Sequence, residues 1–336
     1  MTQYTYTAKD FKSSNEVRWC PGCGDHAIMN AIQRVMADLG LKKADYAVIS
    51  GIGCSSRFPY YMNTFGFHTI HGRASAIASG VKSANPGLHV WQITGDGDAL
   101  AIGGNHFIHT IRRNVDINII LFNNKIYGLT KGQYSPTTDR GEKTKTSPFG
   151  TIEDPFVTGQ LVLGARGTFF ARTIDGNMKM SQEIFDVAAR FKGTSVVEVL
   201  QNCVIFNNGV HEEITRGDDR EDKQIYLKHG EKMVFGVNRD KGLVLEKGKL
   251  KAVTIGQEGY TLDDILVHDA AEEDVYLHAA LIHMALPKLP VAFGVIRSVQ
   301  RPTYEQAMQE QITGVQKTRK ITCVDDLLRS GNTWEV

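Results

Sequence analysis

Four cysteines, one aspartate and one asparagine carry most of the chemistry that this 336-residue chain offers. Cys20-Pro-Gly-Cys23 has the two-residue gap that places two thiolates on one metal ion or cluster. Cys54 and Cys203 each follow an apolar, β-branched run, and they supply two further sulfurs if those runs are neighbouring strands. Four thiolates satisfy Zn²⁺ or a [4Fe–4S] cubane equally well, so spacing leaves both open. A second group is built from oxygen. Asp96 lies in Gly95-Asp96-Gly97-Asp98, and Asn124 comes 28 positions later, one strand-helix-strand unit away. The Asp96 carboxylate, the Asn124 amide oxygen and the backbone carbonyl of Ile126 make a half-shell for a hard cation such as Mg²⁺ that carries a diphosphate. The glycines beside them let phosphate approach the backbone and a helix N-terminus.

Positioning these groups requires a scaffold, and the pattern of the chain specifies one. Ala27, Ile28, Ala31, Ile32, Val35, Met36 and Leu39 recur at helical spacing, and Gly40 closes that helix. Strands are predicted at Tyr46–Ser50, Leu88–Thr94, Asp116–Phe122, Phe169–Arg172 and Ser195–Leu200. Helices are predicted at Arg73–Asn85, up to Arg113, and at Met178–Phe191. This alternation predicts an α/β fold, a mostly parallel sheet with helices on both faces. Gly51-Ile52-Gly53-Cys54, Gly95–Asp98, Asn123-Asn124 and Asn202-Cys203 all follow strands, so they fall at carboxyl ends. The helix N-termini on the same rim bring in Cys20 and Cys23. The segment from Asn124 to Pro155 is polar and reads as a long, functional surface excursion. Beyond about Gly209 the pattern loosens. We expect a binding domain over 1–210 and a C-terminal extension over 211–336 that contacts another subunit and contains a hairpin from Gly242 to Ile255 turning near Gly248. Cys323 has no nearby partner and reads as a buried or half-buried thiol.

Twenty-six residues separate Gly97 from Asn124, and the stretch GDGDALAIGGNHFIHTIRRNVDINIILFNN resembles the cofactor motif of thiamine-diphosphate enzymes. Together with WCPGCG, GIGCSSR, HGRA and NNKIYGLTKGQYSPT, it resembles the β subunit of the 2-oxoacid:ferredoxin oxidoreductases over about Arg18 to Asn208. The GIGCSSR form is similar to the members that use 2-oxoglutarate. The resemblance implies a thiamine-diphosphate-binding fold, its diphosphate-binding half, with thiamine diphosphate, Mg²⁺ and a [4Fe–4S] cluster. It also implies oxidative decarboxylation of a 2-oxoacid to an acyl-CoA with coenzyme A as co-substrate and ferredoxin as acceptor; 2-oxoglutarate would give succinyl-CoA. Carried over, the cluster ligands are Cys20, Cys23, Cys54 and Cys203, and the Mg²⁺ ligands are Asp96, Asn124 and the Ile126 carbonyl. Thiamine contacts fall on Ile52, Gly53, Cys54, Ser55, Gly97, Asp98, Gly128 and Leu129, with His71 near the reacting carbon. Thiamine enzymes also need a glutamate on a pyrimidine-binding domain. One recognisable α/β unit is present here, so an α (or fused γα) subunit is expected to supply it.

Arg57, three residues after Cys54, is expected to select substrate, because an arginine pairs bidentately with the distal carboxylate that 2-oxoglutarate has and pyruvate lacks. Pyruvate or a broader range of 2-oxoacids is the alternative substrate. A non-redox thiamine decarboxylase or ligase with structural Zn²⁺, and a zinc-ribbon binding module, are the alternatives of other classes. Composition weighs against the last. With 38 Lys+Arg against 37 Asp+Glu the chain has no cationic surplus for nucleic acid or an anionic membrane. The stretch His278 to Ile296 is interrupted by His283, Pro287, Lys288 and Pro290, too soon for a membrane span. Met1 to Phe11 has no export signal, so a cytoplasmic, reducing setting is expected, in which the thiols stay unpaired.

Overall fold

The protein is described by a computed structural model over residues 3–334. Its first long helix, Asp25–Leu39, buries Ile28, Ala31, Ile32, Val35 and Met36 along one stripe. It ends because Gly40 adopts a left-handed φ of 63°, which turns its N–H back onto the Ala37 carbonyl. Eleven strands follow among the described residues: β1 Tyr46–Ser50, β2 Phe65–His68, β3 His89–Gly95, β4 Ile117–Asn123, β5 Phe169–Ile174, β6 Ser195–Leu200, β7 Gln224–Leu227, β8 Val234–Phe235, β9 Lys241–Glu246, β10 Lys249–Thr254 and β11 Val291–Ser298. Eight of them form one sheet in the order β2-β1-β3-β4-β6-β5-β11-β7. The pairings from β2 through to β5 are all parallel, whereas β11 runs antiparallel to β5 and parallel to β7.

Residues alternate between the two faces of the sheet as the pleat demands. Ile120 and Phe122 of β4 pack with Ile32, Val35, Phe185 and Ala188, on the side of the Asp25–Leu39 and Met178–Arg190 helices. Ile117, Ile119 and Leu121 pack with Ala78, Phe107 and Ile111, on the side of the Ala74–Ala84 and Gly104–Arg113 helices. Fully burying each large apolar side chain contributes about 1.5–3 kcal/mol, so the central strands are a stiff base. The predicted rim is present. Gly51, Asp96, Asn124 and Gln201 are the first residues beyond the carboxyl ends of β1, β3, β4 and β6, four adjacent parallel strands.

Two expectations need correction. The C-terminal extension is not set apart at residue 211, because β7 and β11 pair into the main sheet and β11 covers β5. Parts that do stand outside the sheet are the strip β10-β9-β8, whose β9–β10 hairpin turns through Lys247 and Gly248 at positive φ as expected, and the helices Tyr304–Thr318 and Val324–Leu328. The second correction is Cys323. It is exposed, and its sulfur caps the Val324–Leu328 helix by accepting from the Asp326 N–H. Among the described residues no helix is long and apolar enough to cross a membrane.

Candidate active site

Cys20, Cys23, Cys54 and Cys203 line one pocket of about 290 Å³. The Cys20–Cys23 turn is closed by the Cys23 N–H donating to the Cys20 carbonyl at 3.1 Å, with Gly22 at φ 79°. Trp19 donates its indole N–H to the Cys54 carbonyl at 2.6 Å and fixes the second loop against the first. Gly128 forms the wall between the other two sulfurs. A Cβ placed on it would lie 3.4 Å from Cys203 Sγ and 3.9 Å from Cys54 Sγ. Gln201 Nε2 approaches Cys23 Sγ at 3.3 Å. Burial pushes the Cys54 thiol up to about 12 and the Cys23 thiol well above its ordinary range, with the nearby Asp25 adding to both. Burial therefore keeps Cys23 and Cys54 as neutral thiols unless a cation is brought beside them.

Four thiols share this space, a donor set that suits Zn²⁺ or an iron–sulfur cluster. Sequence reasoning missed Asp25 on the same wall. It is 2% exposed, burial raises its carboxyl to about 7, and its Oδ2 has no hydrogen-bond partner.

Asp96 stands beyond β3 with 2% exposure. Its Oδ2 accepts hydrogen bonds from Ser135 Oγ and Thr137 Oγ1, both at 2.6 Å. Burial raises its carboxyl to about 6, with the two hydroxyls pulling the other way. Thr137 Oγ1 also lies 2.9 Å from Asn123 Oδ1, while Asn123 Nδ2 donates to Glu198 Oε1 at 2.8 Å. Glu198 Oε2 in turn accepts from Arg172 Nε at 2.8 Å. Burial opposes the charge on Glu198, but the Arg172 guanidinium and the hydrogen bonds outweigh it and hold that carboxyl below its usual range. A buried chain thus fixes the Asp96 oxygen from behind. The segment expected to be a surface excursion supplies its middle, since Ser135, Thr137 and Thr138 are buried and Tyr127 O–H donates to the Gly97 carbonyl at 2.8 Å. Gly97 permits that clamp, because a Cβ there would stand 2.3 Å from the Tyr127 ring. Asn124 Oδ1 accepts from the Ile126 N–H at 3.1 Å and its Nδ2 donates to Gln201 Oε1 at 2.9 Å, so it sits between the oxygen cradle and the cysteine cup.

Asp98 ties the rim loops together. Its Oδ1 accepts from the N–H groups of Ile52 at 3.0 Å and Gly72 at 2.7 Å, and its Oδ2 accepts from Thr94 Oγ1 at 2.8 Å. His71 Nδ1 lies 3.0 Å from Oδ1, off the line of a hydrogen bond. Gly51 is required beneath, for a Cβ there would fall 1.8 Å from Asp98 Oδ2. Of the other predicted residues, Gly53 faces open space at φ 138° and Ser55 is buried next to Gly95. Gly128 and Leu129 lie on the wall of the cysteine cup, as does Arg57. Thr137, Glu198 and Arg172 carry no local sequence signal, because they join Asn123 and Asp96 only when β3, β4, β5 and β6 pair.

His211, 8% exposed, meets the Asn123 carbonyl with Nε2 at 3.0 Å. Burial pushes its imidazole down to about 4, only partly opposed by that hydrogen bond. In the unfolded chain a histidine protonates at about 6.5, so between these values the unfolded state binds the extra proton. Stability should therefore fall as pH drops from about 6.5 to 4, by up to about 3 kcal/mol from this group. Thermal unfolding of His211→Gln, which keeps a donor, is expected to lose less with acid than the parent; an equal loss would assign the acid sensitivity elsewhere.

Known proteins of similar sequence and fold place the chain in a family. The family described as the C-terminal TPP binding domain of thiamine pyrophosphate enzymes matches residues 51–199. The chain is 44% identical over its whole length, and over 90% of the relative, to 2-oxoglutarate oxidoreductase subunit KorB of Mycobacterium tuberculosis. It is 47% identical, over 56% of its length and 60% of the relative, to 2-oxoacid:ferredoxin oxidoreductase 1 subunit beta of Aeropyrum pernix. Its fold is similar to that of a chain of 2-oxoglutarate:ferredoxin oxidoreductase from Magnetococcus marinus, solved with 2-oxoglutarate, coenzyme A and succinyl-CoA bound. The TM-score is 0.78 at 29% identity, covering 98% of this chain and 97% of that one.

Proposed function

Because this chain belongs to the family of 2-oxoglutarate:ferredoxin oxidoreductase β subunits, we propose that its carboxyl rim holds thiamine diphosphate with Mg²⁺ beside a [4Fe–4S] cluster. On this reading the complex converts 2-oxoglutarate and coenzyme A to succinyl-CoA and CO₂ and passes single electrons to ferredoxin. The observation that carries the reading is adjacency: Asn124 follows Asn123 of the Asp96 network in the chain and donates to Gln201, whose Nε2 approaches Cys23 Sγ. When bound, thiamine diphosphate supplies an electron sink for decarboxylation and the cluster takes electrons one at a time.

The rest is work for this chain's side chains. Asp96, Asn124 and the Ile126 carbonyl would hold Mg²⁺, and Thr137 and Ser135 keep the Asp96 oxygen aimed without a charge of their own. Asp98 holds the Ile52–Ser55 and His71–Gly72 loops at the spacing the cofactor requires. On this reading His71 would hold or move a proton at the reacting centre, and Arg57 would receive the distal carboxylate. Ile70, 74% exposed, and Ile102, 55% exposed, stand beside Gly72 at the open side of the site. That apolar margin supports a partner subunit covering the site and bringing the glutamate that thiamine enzymes need.

Metal analysis of the anaerobically purified complex tests the reading. We expect iron and acid-labile sulfide with a broad visible absorption band, and loss of both in Cys54→Ala and Cys203→Ala. Cys323→Ala should keep them. Stoichiometric zinc without iron, or full iron retention in the first two variants, would overturn the cluster assignment.

A further inference from the structure

Gln201, the first residue beyond β6, is 1% exposed, and both donors of its side-chain amide are committed. Nε2 donates to the Asn202 carbonyl at 2.7 Å and approaches Cys23 Sγ at 3.3 Å, while Oε1 accepts from Asn124 Nδ2 at 2.9 Å. The orientation of this amide is fixed from both ends. Asn124 Oδ1 accepts from the Ile126 N–H at 3.1 Å, which turns Asn124 Nδ2 towards Gln201. A reversed Gln201 amide would set oxygen against the Asn202 carbonyl and nitrogen against Asn124 Nδ2, two like contacts in a place without water to relieve them. Its N–H therefore faces the sulfur. The Gln201 backbone N–H donates to the Asn123 carbonyl at 2.9 Å, so the residue is anchored beside the strand that carries the oxygen cradle. Among the described residues no other side-chain amide lines the cysteine cup.

We propose that Gln201 is a positioning residue that sets the reduction potential of the cluster and ties that potential to the loading of the cofactor site. The proposal rests on reading the cup as a cluster site and the Asp96–Asn124 cradle as the seat of Mg²⁺ and the diphosphate. An N–H aimed at a ligand sulfur stabilises the charge that a reduced cluster gains, and hydrogen bonds to the sulfurs are among the levers that set cluster potentials. How strongly this N–H donates depends on the other end of the amide. A cation on Asn124 Oδ1 would polarise the Asn124 amide and strengthen its Nδ2–H towards Gln201 Oε1. Hydrogen bonds in a chain polarise one another, so Gln201 Nε2–H then donates more strongly to Cys23 Sγ. The cluster accepts an electron more readily when the cofactor site is loaded than when it is empty.

The test measures the cluster midpoint potential in the assembled complex, by redox titration followed with EPR, with and without thiamine diphosphate and Mg²⁺. The cofactor Kd is measured alongside. In the parent the potential should rise when the cofactor binds. Gln201→Met fills a similar volume without a donor, so its potential should lie below the parent's and should not move on cofactor binding. Its cofactor Kd should rise roughly 10–100-fold, as for the loss of an outer partner of a metal ligand. Gln201→Glu, studied at about pH 9 to keep the carboxylate ionised, still accepts from Asn124 but offers the sulfur no N–H. Its cofactor affinity should stay near the parent's while its potential falls, a split that a space-filling role would not produce. If a variant fails to hold its cluster, pulsed EPR of the reduced parent, isotopically labelled at the glutamine side-chain nitrogen, decides. A hyperfine coupling to that nitrogen is expected, and its absence would overturn the proposal. Potentials equal to the parent's in both variants would also overturn it and leave the cluster reading intact. A parent complex without iron overturns the cluster reading instead, and one that binds no thiamine diphosphate overturns the cofactor reading.

Discussion

Replacing Asp96 with alanine should weaken binding of thiamine diphosphate with Mg²⁺ by more than a hundredfold, on the order of what losing a metal ligand rather than its support costs. The carboxylate is 2% exposed and fixed by two hydroxyl donors, so alanine removes a charge that a water filling the space would not replace. The cluster spectrum should survive, because the cup uses sulfur from other loops. Thr137→Val keeps the volume and removes the hydroxyl, and it should weaken binding by roughly 10–100-fold, the usual consequence of losing an outer partner of a metal ligand. Burial raises the Asp96 carboxyl, so on acidification the parent's affinity should decline more steeply than that of Asp96→Ala, whose remaining decline is that of the diphosphate itself. Titration calorimetry at saturating Mg²⁺ decides this. Equal affinities for parent and Asp96→Ala would place the diphosphate elsewhere.

Arg57→Met is expected to shift the ratio of kcat/KM for 2-oxoglutarate over 2-oxobutyrate by about one to two orders of magnitude towards 2-oxobutyrate. A charge-assisted pair contributes about 1.5–3 kcal/mol, and 2-oxobutyrate has no distal carboxylate to form one. Arg57 ends the short turn Ser55–Arg57 and enters none of the ion pairs among the described residues. A guanidinium without a carboxylate of its own is free to accept one from substrate. Methionine keeps much of the side-chain length, so packing changes little. A ratio equal to the parent's would show that the distal carboxylate is recognised by another residue.

The parts of this molecule that could be read from its sequence are those governed by neighbours along the chain. β1 and β6 fall on the predicted residues, and Gly40 closes the first helix in the left-handed conformation that only glycine adopts freely. The rim followed from the same signals, because a parallel sheet places all carboxyl ends together. β2 was not legible: Phe65 and Phe67 are exposed, so this edge strand lacks the buried alternation that marks a strand. β11 was hidden because its importance lies in its partners β5 and β7, not in its own pattern. The Asp96–Thr137–Asn123–Glu198–Arg172 chain draws on β3, β4, β5, β6 and a loop, so it exists only after long-range pairing. Sequence spacing identified Asp96 and Asn123 and could not identify Thr137, Glu198 or Arg172.

The antiparallel seam between β5 and β11 has a consequence for how the polypeptide can be cut. All six residues of β5 are buried, and one side of its ladder is satisfied only by β11. A fragment ending at residue 210 would keep every predicted ligand yet present Phe169–Ile174 as a raw margin, with unmet N–H and C=O groups flanked by Phe169, Phe170 and Ile174. Such a margin is a template for intermolecular strand addition. The cofactor-bearing portion is therefore not a separable module, and the last third of the chain acts as its guard against aggregation.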